Sequence, residues 1–335
     1  YLAQPPLYRI QVKEKKKKTE GTMLLESVWK EKEINKGIKE KEYKRRLVIL
    51  CETGKGIKEE GKIKYIRLET KEKEISRKYE EYVLLVFESI KKIIESKPEK
   101  DVLIQVVLGN SQEERVYRGI LGLLKTAKLE NPKIRGQVII VNKNQDIGEM
   151  LEENAKQPED EEIRYKNKKR EVARIEEVEK SKEGAIEIPW KDDAVYLITG
   201  GLGGLGIIFA GEIGRKIKCG KIILTGRSKI TDEKTAKIKE LERSGAEVEY
   251  QRIDVSEKKE VELLIENIKK KYGKLNGVIH SAGITKDNFI IKKSKEEFES
   301  VIEPKVSGLE NIDECTSEID LDFMILFSSL SGVTG

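Results

Sequence analysis

Five glycines fall within seven positions of this chain, in Thr199-Gly200-Gly201-Leu202-Gly203-Gly204-Leu205-Gly206. The run lies between an apolar stretch, Val195 to Thr199, and a segment with apolar residues at helical spacing. Glycine there permits a tight turn, close approach of backbone to a pyrophosphate, and contact between helix and strand. The helix that follows presents free N–H groups and a positive partial charge to the phosphates. So many glycines cost backbone entropy that a purely structural turn has no reason to spend. In a strand-turn-helix setting the pattern points to a dinucleotide.

The elements around it support that setting. Strands are expected at Val195 to Thr199, Lys221 to Thr225, Val248 to Ile253, Leu275 to His280 and Phe323 to Phe327. Helices are expected with Leu205, Ile208, Phe209, Ile213 and Ile217 on one face, with Val261, Leu264, Ile265 and Ile268 on another, and over Phe298 to Ile312. Strand alternating with helix makes a doubly wound parallel sheet. Before residue 190 the same alternation is expected: strands at Arg46 to Cys51, Ile63 to Leu68, Val102 to Leu108 and Gln137 to Val141, with helices over Tyr82 to Ile94 and Gly119 to Leu129. That part has no phosphate loop. Thr53-Gly54-Lys55-Gly56 lacks the GxxxxGK[ST] frame and reads as a turn. The charge-dense stretch from Gln157 to Glu183 reads as an exposed loop and edge strand.

Composition excludes several classes. With 37% apolar and 38% charged residues, amphipathic helices with charged outer faces are expected, and no apolar run is long enough to span a membrane. The start is not a signal peptide, so a cytoplasmic protein is expected. The net charge of +5 is the near-cancellation of 66 basic and 61 acidic residues. The basic run Lys13 to Lys18, broken by Glu14, has no interleaved aromatics and reads as solvated linker, not a nucleic-acid grip. Cys51, Cys219 and Cys315 are far apart and His280 is the single histidine, so no metal site is expected. A Ser-His-Asp hydrolase would have to use His280, and no G-x-S-x-G elbow accompanies it.

NAD sites usually carry an acidic residue at the end of the second strand, to hold the ribose 2′-OH. Here the sequence is Thr225-Gly226-Arg227-Ser228, with no carboxylate. Arginine's planar fork suits an additional 2′-phosphate, which favours NADPH.

The loop Thr199 to Gly206 together with His280-Ser281-Ala282-Gly283 resembles the short-chain dehydrogenase/reductase superfamily, and within it the ketoreductase domains of modular polyketide and animal-type fatty acid synthases. The resemblance covers about Met23 to Gly335 and includes a helix-to-Pro segment, Gly122 to Pro132. It implies an α/β chain of two Rossmann-like, doubly wound parallel-sheet subdomains. Residues 1–22 would be linker, 23–190 a truncated structural subdomain without cofactor, and 191–335 the cofactor-binding one.

The resemblance also implies roles. Thr199, Gly200, Gly201, Leu202, Gly203, Gly204, Leu205 and Gly206 would cradle the pyrophosphate. Arg227 and Ser228 would take the 2′-phosphate, Asp254 and Val255 would face the adenine, and Ser281, Ala282 and Gly283 would pack beside the ribose. Ser329 matches the catalytic serine. Lys305, in Pro304-Lys305-Val306-Ser307-Gly308 and 24 residues before Ser329, matches the lysine that megasynthase ketoreductases exchange with the asparagine of stand-alone relatives. Asp287, after Ile284-Thr285-Lys286, matches the last aspartate of an L-D-D motif marking D-configured products, although Thr285 and Lys286 depart from it.

The implied reaction is NADPH-dependent reduction of a β-ketoacyl thioester on an acyl carrier protein, among neighbouring polyketide synthase domains. A proton-donating tyrosine followed by asparagine would lie beyond Ser329. Six residues follow Ser329 and include neither, so the chain as given is expected to be inactive alone and to be a piece of something longer. Two rivals are a stand-alone short-chain reductase, disfavoured by Lys305 and by the long glycine-poor first part, and a redox-silent scaffold or docking module. The intact Gly200, Gly204, Gly206, Lys305 and Ser329 argue against the second.

Overall fold

The structure, a computed structural model, describes residues 25–35, 42–54, 57, 63–142, 145–167, 169–178, 189–243, 245–329 and 331–335. The linker expected over 1–22, with the basic run Lys13 to Lys18, lies outside the described residues, as do Met23, Lys55 and Gly56.

Two sheets carry the chain. The first holds β1 (Leu25–Glu31), β2 (Arg45–Cys51), β3 (Ile63–Leu68), β4 (Val102–Gly109), β5 (Ile134–Val141), β6 (Glu162–Lys166) and β7 (Lys169–Glu177). Its order is β1-β7-β6-β5-β4-β2-β3. The strands from β3 to β6 are parallel, and β7 and β1 extend them antiparallel. Arg-Leu-Val-Ile-Leu-Cys in β2 and Val-Leu-Ile-Gln-Val-Val-Leu in β4 are near-continuous apolar runs, as a parallel strand covered on both faces requires. The helices α1 (Ile75–Glu95), α2 (Ile120–Glu130) and α3 (Ile147–Ala155) belong to this part.

The second sheet is wholly parallel: β8 (Val195–Thr199), β9 (Lys221–Gly226), β10 (Glu247–Arg252), β11 (Gly277–His280) and β12 (Phe323–Leu326), in the order β10-β9-β8-β11-β12. The order reverses between β8 and β11, so a crevice opens there at the carboxyl ends of the strands, where open α/β sheets bind ligands. Around it run α4 (Gly204–Lys216), α5 (Asp232–Glu242), α6 (Lys258–Tyr272), α7 (Lys295–Ile302) and α8 (Ser307–Thr316), while the short α9 (Ser331–Thr334) lies against α2. No helix of the described residues is long and apolar enough to cross a membrane.

Four expectations need correction. The helix expected over Phe298 to Ile312 is two, α7 and α8, separated by a turn from Glu303 to Val306. Pro304 has no N–H to continue the ladder, and the Lys305 and Val306 N–H groups both donate to Ile302 O at 2.9 Å. On α4, Leu205 and Ile208 are not on the buried face; they are exposed, and the helix meets the sheet through Gly206, Ala210, Gly211, Ile213 and Gly214. The glycines and Ala210 among them let the backbone approach closely. The stretch after Gln157 is a hairpin, β6 and β7, whose Ile163, Tyr165, Arg170 and Val172 turn inward. The strand at Phe323 to Phe327, whose apolar run Phe-Met-Ile-Leu-Phe reads as buried, ends at Leu326 and is only half buried.

The two sheets are joined by packing between helices. Phe87 of α1 stacks on Phe298 of α7 with ring centroids 4.3 Å apart, a contact worth about 0.5–1.5 kcal/mol beyond its buried area. Ser307 at the start of α8 donates to Glu80 of α1 at 2.6 Å, Glu310 of α8 bonds Ser76 of α1, and the Ile290 N–H donates to the Glu130 carboxylate of α2 at 2.9 Å.

Candidate dinucleotide site

The glycine loop is built from close backbone contacts. Gly200 has φ +63°, and a Cβ there would lie 2.7 Å from Ser281 O. A Cβ on Gly206 would lie 2.6 Å from Gly201 Cα. Any side chain at either position would force the loop open, so these glycines are required by packing alone. Gly204 differs: a Cβ there meets nothing within 4 Å, because the position faces the open cleft. No side chain caps α4 at Gly203, which leaves the first N–H groups of the helix for a ligand.

At the end of β9 the cleft turns basic. Arg227 lies 3.7 Å from Asp254, and its carbonyl accepts from Arg252 Nε at 2.8 Å. The Tyr250 hydroxyl braces the loop through the carbonyls of Gly226 and Ser228, at 3.0 and 2.7 Å. Lys234, on the first turn of α5, donates to Ser228 Oγ and to Lys229 O. Its charge meets no ion-pair partner among the described residues. Beneath, the Thr225 hydroxyl is buried at the cleft without a hydrogen-bond partner among the described residues, an orphan that a bound ligand would satisfy.

The floor of the crevice is a polar knot. Thr199 is fully buried; its carbonyl accepts from Ser281 Oγ at 2.6 Å and its hydroxyl from the Ala282 N–H at 3.2 Å. His280 Nδ1 lies 2.8 Å from that hydroxyl and Nε2 lies 3.0 Å from Pro304 O. A carbonyl only accepts, so Nε2 carries the proton and Nδ1 accepts from Thr199. Burial pulls the imidazole pKa below its ordinary value, against the Pro304 bond, which raises it. The neutral ring is therefore the folded form. Its contribution to stability is complete above about pH 6.5, the unfolded value, and is lost as the pH falls through the lower folded value. Replacing His280 with glutamine is expected to flatten this part of the melting-temperature profile between neutral and mildly acidic pH, as calorimetry would record.

The cleft has a volume of about 760 Å³. Of the residues expected to hold the cofactor, Gly200, Leu202, Gly203, Gly204, Leu205, Gly206, Arg227, Ser228, Asp254, Val255, Ser281, Ala282 and Gly283 line it. Thr199 and Gly201 lie below the surface. Lys305 is exposed at the margin: its neighbour Pro304 lines the cleft, and its Cε would be 3.3 Å from a Cβ on Gly283. Ser329 and Asp287 are exposed and do not line it. Sequence reasoning missed Lys234, Tyr250 and Thr225, which do.

The crystal structure of a ketoreductase domain from the bacillaene assembly line superposes with a TM-score of 0.84 at 36% identity, covering 93% of this chain and 74% of that one. This chain belongs to the polyketide synthase ketoreductase family. The KR domain family model matches residues 194–335, and the model described as Beta-ketoacyl synthase-like, N-terminal, matches 64–157. Polyketide synthase PksN of Bacillus subtilis (strain 168) is 40% identical over 94% of the chain, and PksL of the same organism 41% identical over 94%. The chain spans only 6% and 7% of the length of these two relatives.

Proposed function

We propose that this chain binds NADPH and serves the reduction of a β-ketoacyl thioester, carried by an acyl carrier protein, to the β-hydroxyacyl thioester. In this reading residues 191–335 bind the cofactor, 23–190 are a structural support, and the whole works in the cytoplasm among neighbouring polyketide synthase domains. The observation that carries it is the meeting of three features at one crevice: a glycine loop closed by backbone contacts, a cationic end of β9, and Lys305 against Gly283.

The residues present fit the cofactor. Gly200 to Gly206 and the free start of α4 would hold the pyrophosphate, with Thr199 fixing the loop from below. Arg227, Ser228 and Lys234 would take the 2′-phosphate. Asp254 and Val255 would flank the adenine, and Ser281, Ala282 and Gly283 the ribose. When bound, the nicotinamide supplies a hydride for the β-carbon. Lys305 holds a positive charge at the margin of the cleft. Its role would be to lower the pKa of the proton-donating tyrosine that the family resemblance places beyond Ser329. Ser329 would donate to the carbonyl oxygen as charge develops. Asp287 would bias the product to the D-hydroxyl.

The test uses the synthase polypeptide carrying this chain and continuing past Gly335, supplied with NADPH and a β-ketoacyl thioester. Lys305→Ala is expected to lower turnover by about 10²–10⁴-fold and Ser329→Ala by about 10²–10³-fold. Unchanged turnover in both would overturn the site, and no thioester-dependent NADPH consumption would overturn the activity. Chiral analysis giving the L-alcohol would overturn the role of Asp287.

A further inference from the structure

His280 is buried, titratable and not needed for any role assigned above, yet it joins three parts of the site. It ends β11, receives the Thr199 hydroxyl at the root of the glycine loop, and donates from Nε2 to Pro304 O. That carbonyl belongs to the peptide linking Pro304 to Lys305. The turn around it is not part of a regular helix: Pro304 contributes no N–H, and the bonds holding the turn run from Lys305 and Val306 N–H to Ile302 O and from Gly308 N–H to Glu303 O. A peptide plane in such a turn is not fixed by a helical ladder. The Lys305 N–H bond to Ile302 O holds one edge of this plane, and the imidazole holds the opposite edge through the carbonyl. The plane in turn sets the direction in which the Lys305 side chain leaves the backbone, towards Gly283.

We infer that His280 is a positioning residue for Lys305, acting through the Nε2–H bond to the Pro304 carbonyl. The inference rests on the proposed role of Lys305. It makes His280 a strut rather than a proton carrier: its neutral tautomer is set by two neutral partners, Thr199 and Pro304, and neither ring nitrogen is left for a ligand.

The two bonds of the ring can be separated by substitution. The amide of glutamine reaches about as far as Nε2 and can donate to Pro304, whereas the shorter asparagine ends near Nδ1 and can serve only Thr199. In the synthase polypeptide continuing past Gly335, His280→Gln is expected to keep kcat within about threefold of the unaltered protein. His280→Asn and His280→Leu are expected to lower kcat by about 10–10²-fold, the scale of a misplacement near 1 Å. In all three the NADPH Kd and the thioester KM should stay within about threefold, because the glycine loop keeps its own contacts. Melting temperatures show whether each variant is folded, and the glutamine and asparagine pair keeps a polar side chain in the same space. Asparagine as active as glutamine would overturn the inference, placing the role at Thr199. So would a loss confined to Kd or KM. Absence of turnover in the unaltered protein would overturn the functional reading, and this inference with it. Turnover that needs Lys305 but is indifferent to all three His280 variants would overturn this inference alone.

Discussion

Replacing Gly206 with alanine will weaken dinucleotide binding by about tenfold to a hundredfold and lower the melting temperature of the free protein. The new methyl would stand 2.6 Å from both Gly201 Cα and Gly201 O and 2.7 Å from Gly200 O. All three are backbone atoms, so no flexible side chain can move aside. Forced overpacking of this kind costs about 1–3 kcal/mol, and about 1.4 kcal/mol is a factor of ten in affinity. Gly204→Ala is the informative partner. With nothing within 4 Å of its Cβ, it fits the free protein, and alanine favours a helix over glycine by up to about 1 kcal/mol. Its defect should appear only on binding, where, in the proposed function, the methyl would occupy space meant for the phosphates. Fluorescence titration with NADPH and a melting curve on each variant separate the two. Equal melting and equal binding in both would refute the account of the loop.

Removing the Asp160 carboxylate will cost about 3–5 kcal/mol of folding stability, because it leaves a buried cation uncompensated. Asp160 is 1% exposed and accepts from Lys32 at 2.6 Å, from Arg170 at 2.8 Å and from Arg174 at 3.0 Å. Arg170 is itself buried, and its Nε donates to Asn154 Oδ1 at 2.9 Å. The group ties the β6–β7 hairpin to α3 and to the residues after β1. Burial raises the carboxyl pKa, but the bonds from Lys32 and Arg170 outweigh it and hold it below the ordinary value. A depressed folded pKa gives a contribution that is complete above about pH 3.9, the unfolded value, and is lost as the pH falls through the folded one. Asp160→Ala should therefore narrow the gap to the unaltered protein in strong acid and show its full deficit at neutral pH. Urea denaturation at both pH values measures this.

The parts of the fold that could be read directly were those where burial is total. β2, β4 and β8 are near-continuous apolar runs, and α6 puts Val261, Leu264, Ile265 and Ile268 on one face. Where one residue carries the packing, the signal vanishes. The helix α5, Asp-Glu-Lys-Thr-Ala-Lys-Ile-Lys-Glu-Leu-Glu, buries only Leu241, and missing the helix meant missing Lys234 upon it. Thr231 before it, a capping residue, was the available clue. In the hairpin, inward Ile163, Tyr165 and Val172 are diluted by the charges of Asp160's neighbourhood, so charge density hid a strand pattern of period two. Pro304 did announce the break between α7 and α8, yet the apolar spacing on either side masks it.

The site was legible in proportion to how local its geometry is. The glycine loop is a contiguous motif whose residues meet because they are neighbours in sequence. His280 is 81 residues from Thr199 and 24 from Pro304, and no spacing rule connects them. A lone histidine at a strand end is chemically unreadable until the sheet brings its partners together.

The contact of α7 and α8 with α1 bears on how such a chain can drift during evolution. The turn carrying Lys305 is pinned on its inner side by an imidazole and suspended between two helices that lean on Phe87, Ser76 and Glu80. Those three residues lie in the glycine-poor part of the chain, yet they are the abutment of the span. Exchanges along α1 are therefore not neutral scaffold changes. A new volume at residue 87 or a lost carboxylate at residue 80 would move the footing on which the turn stands, without altering any residue of the cleft.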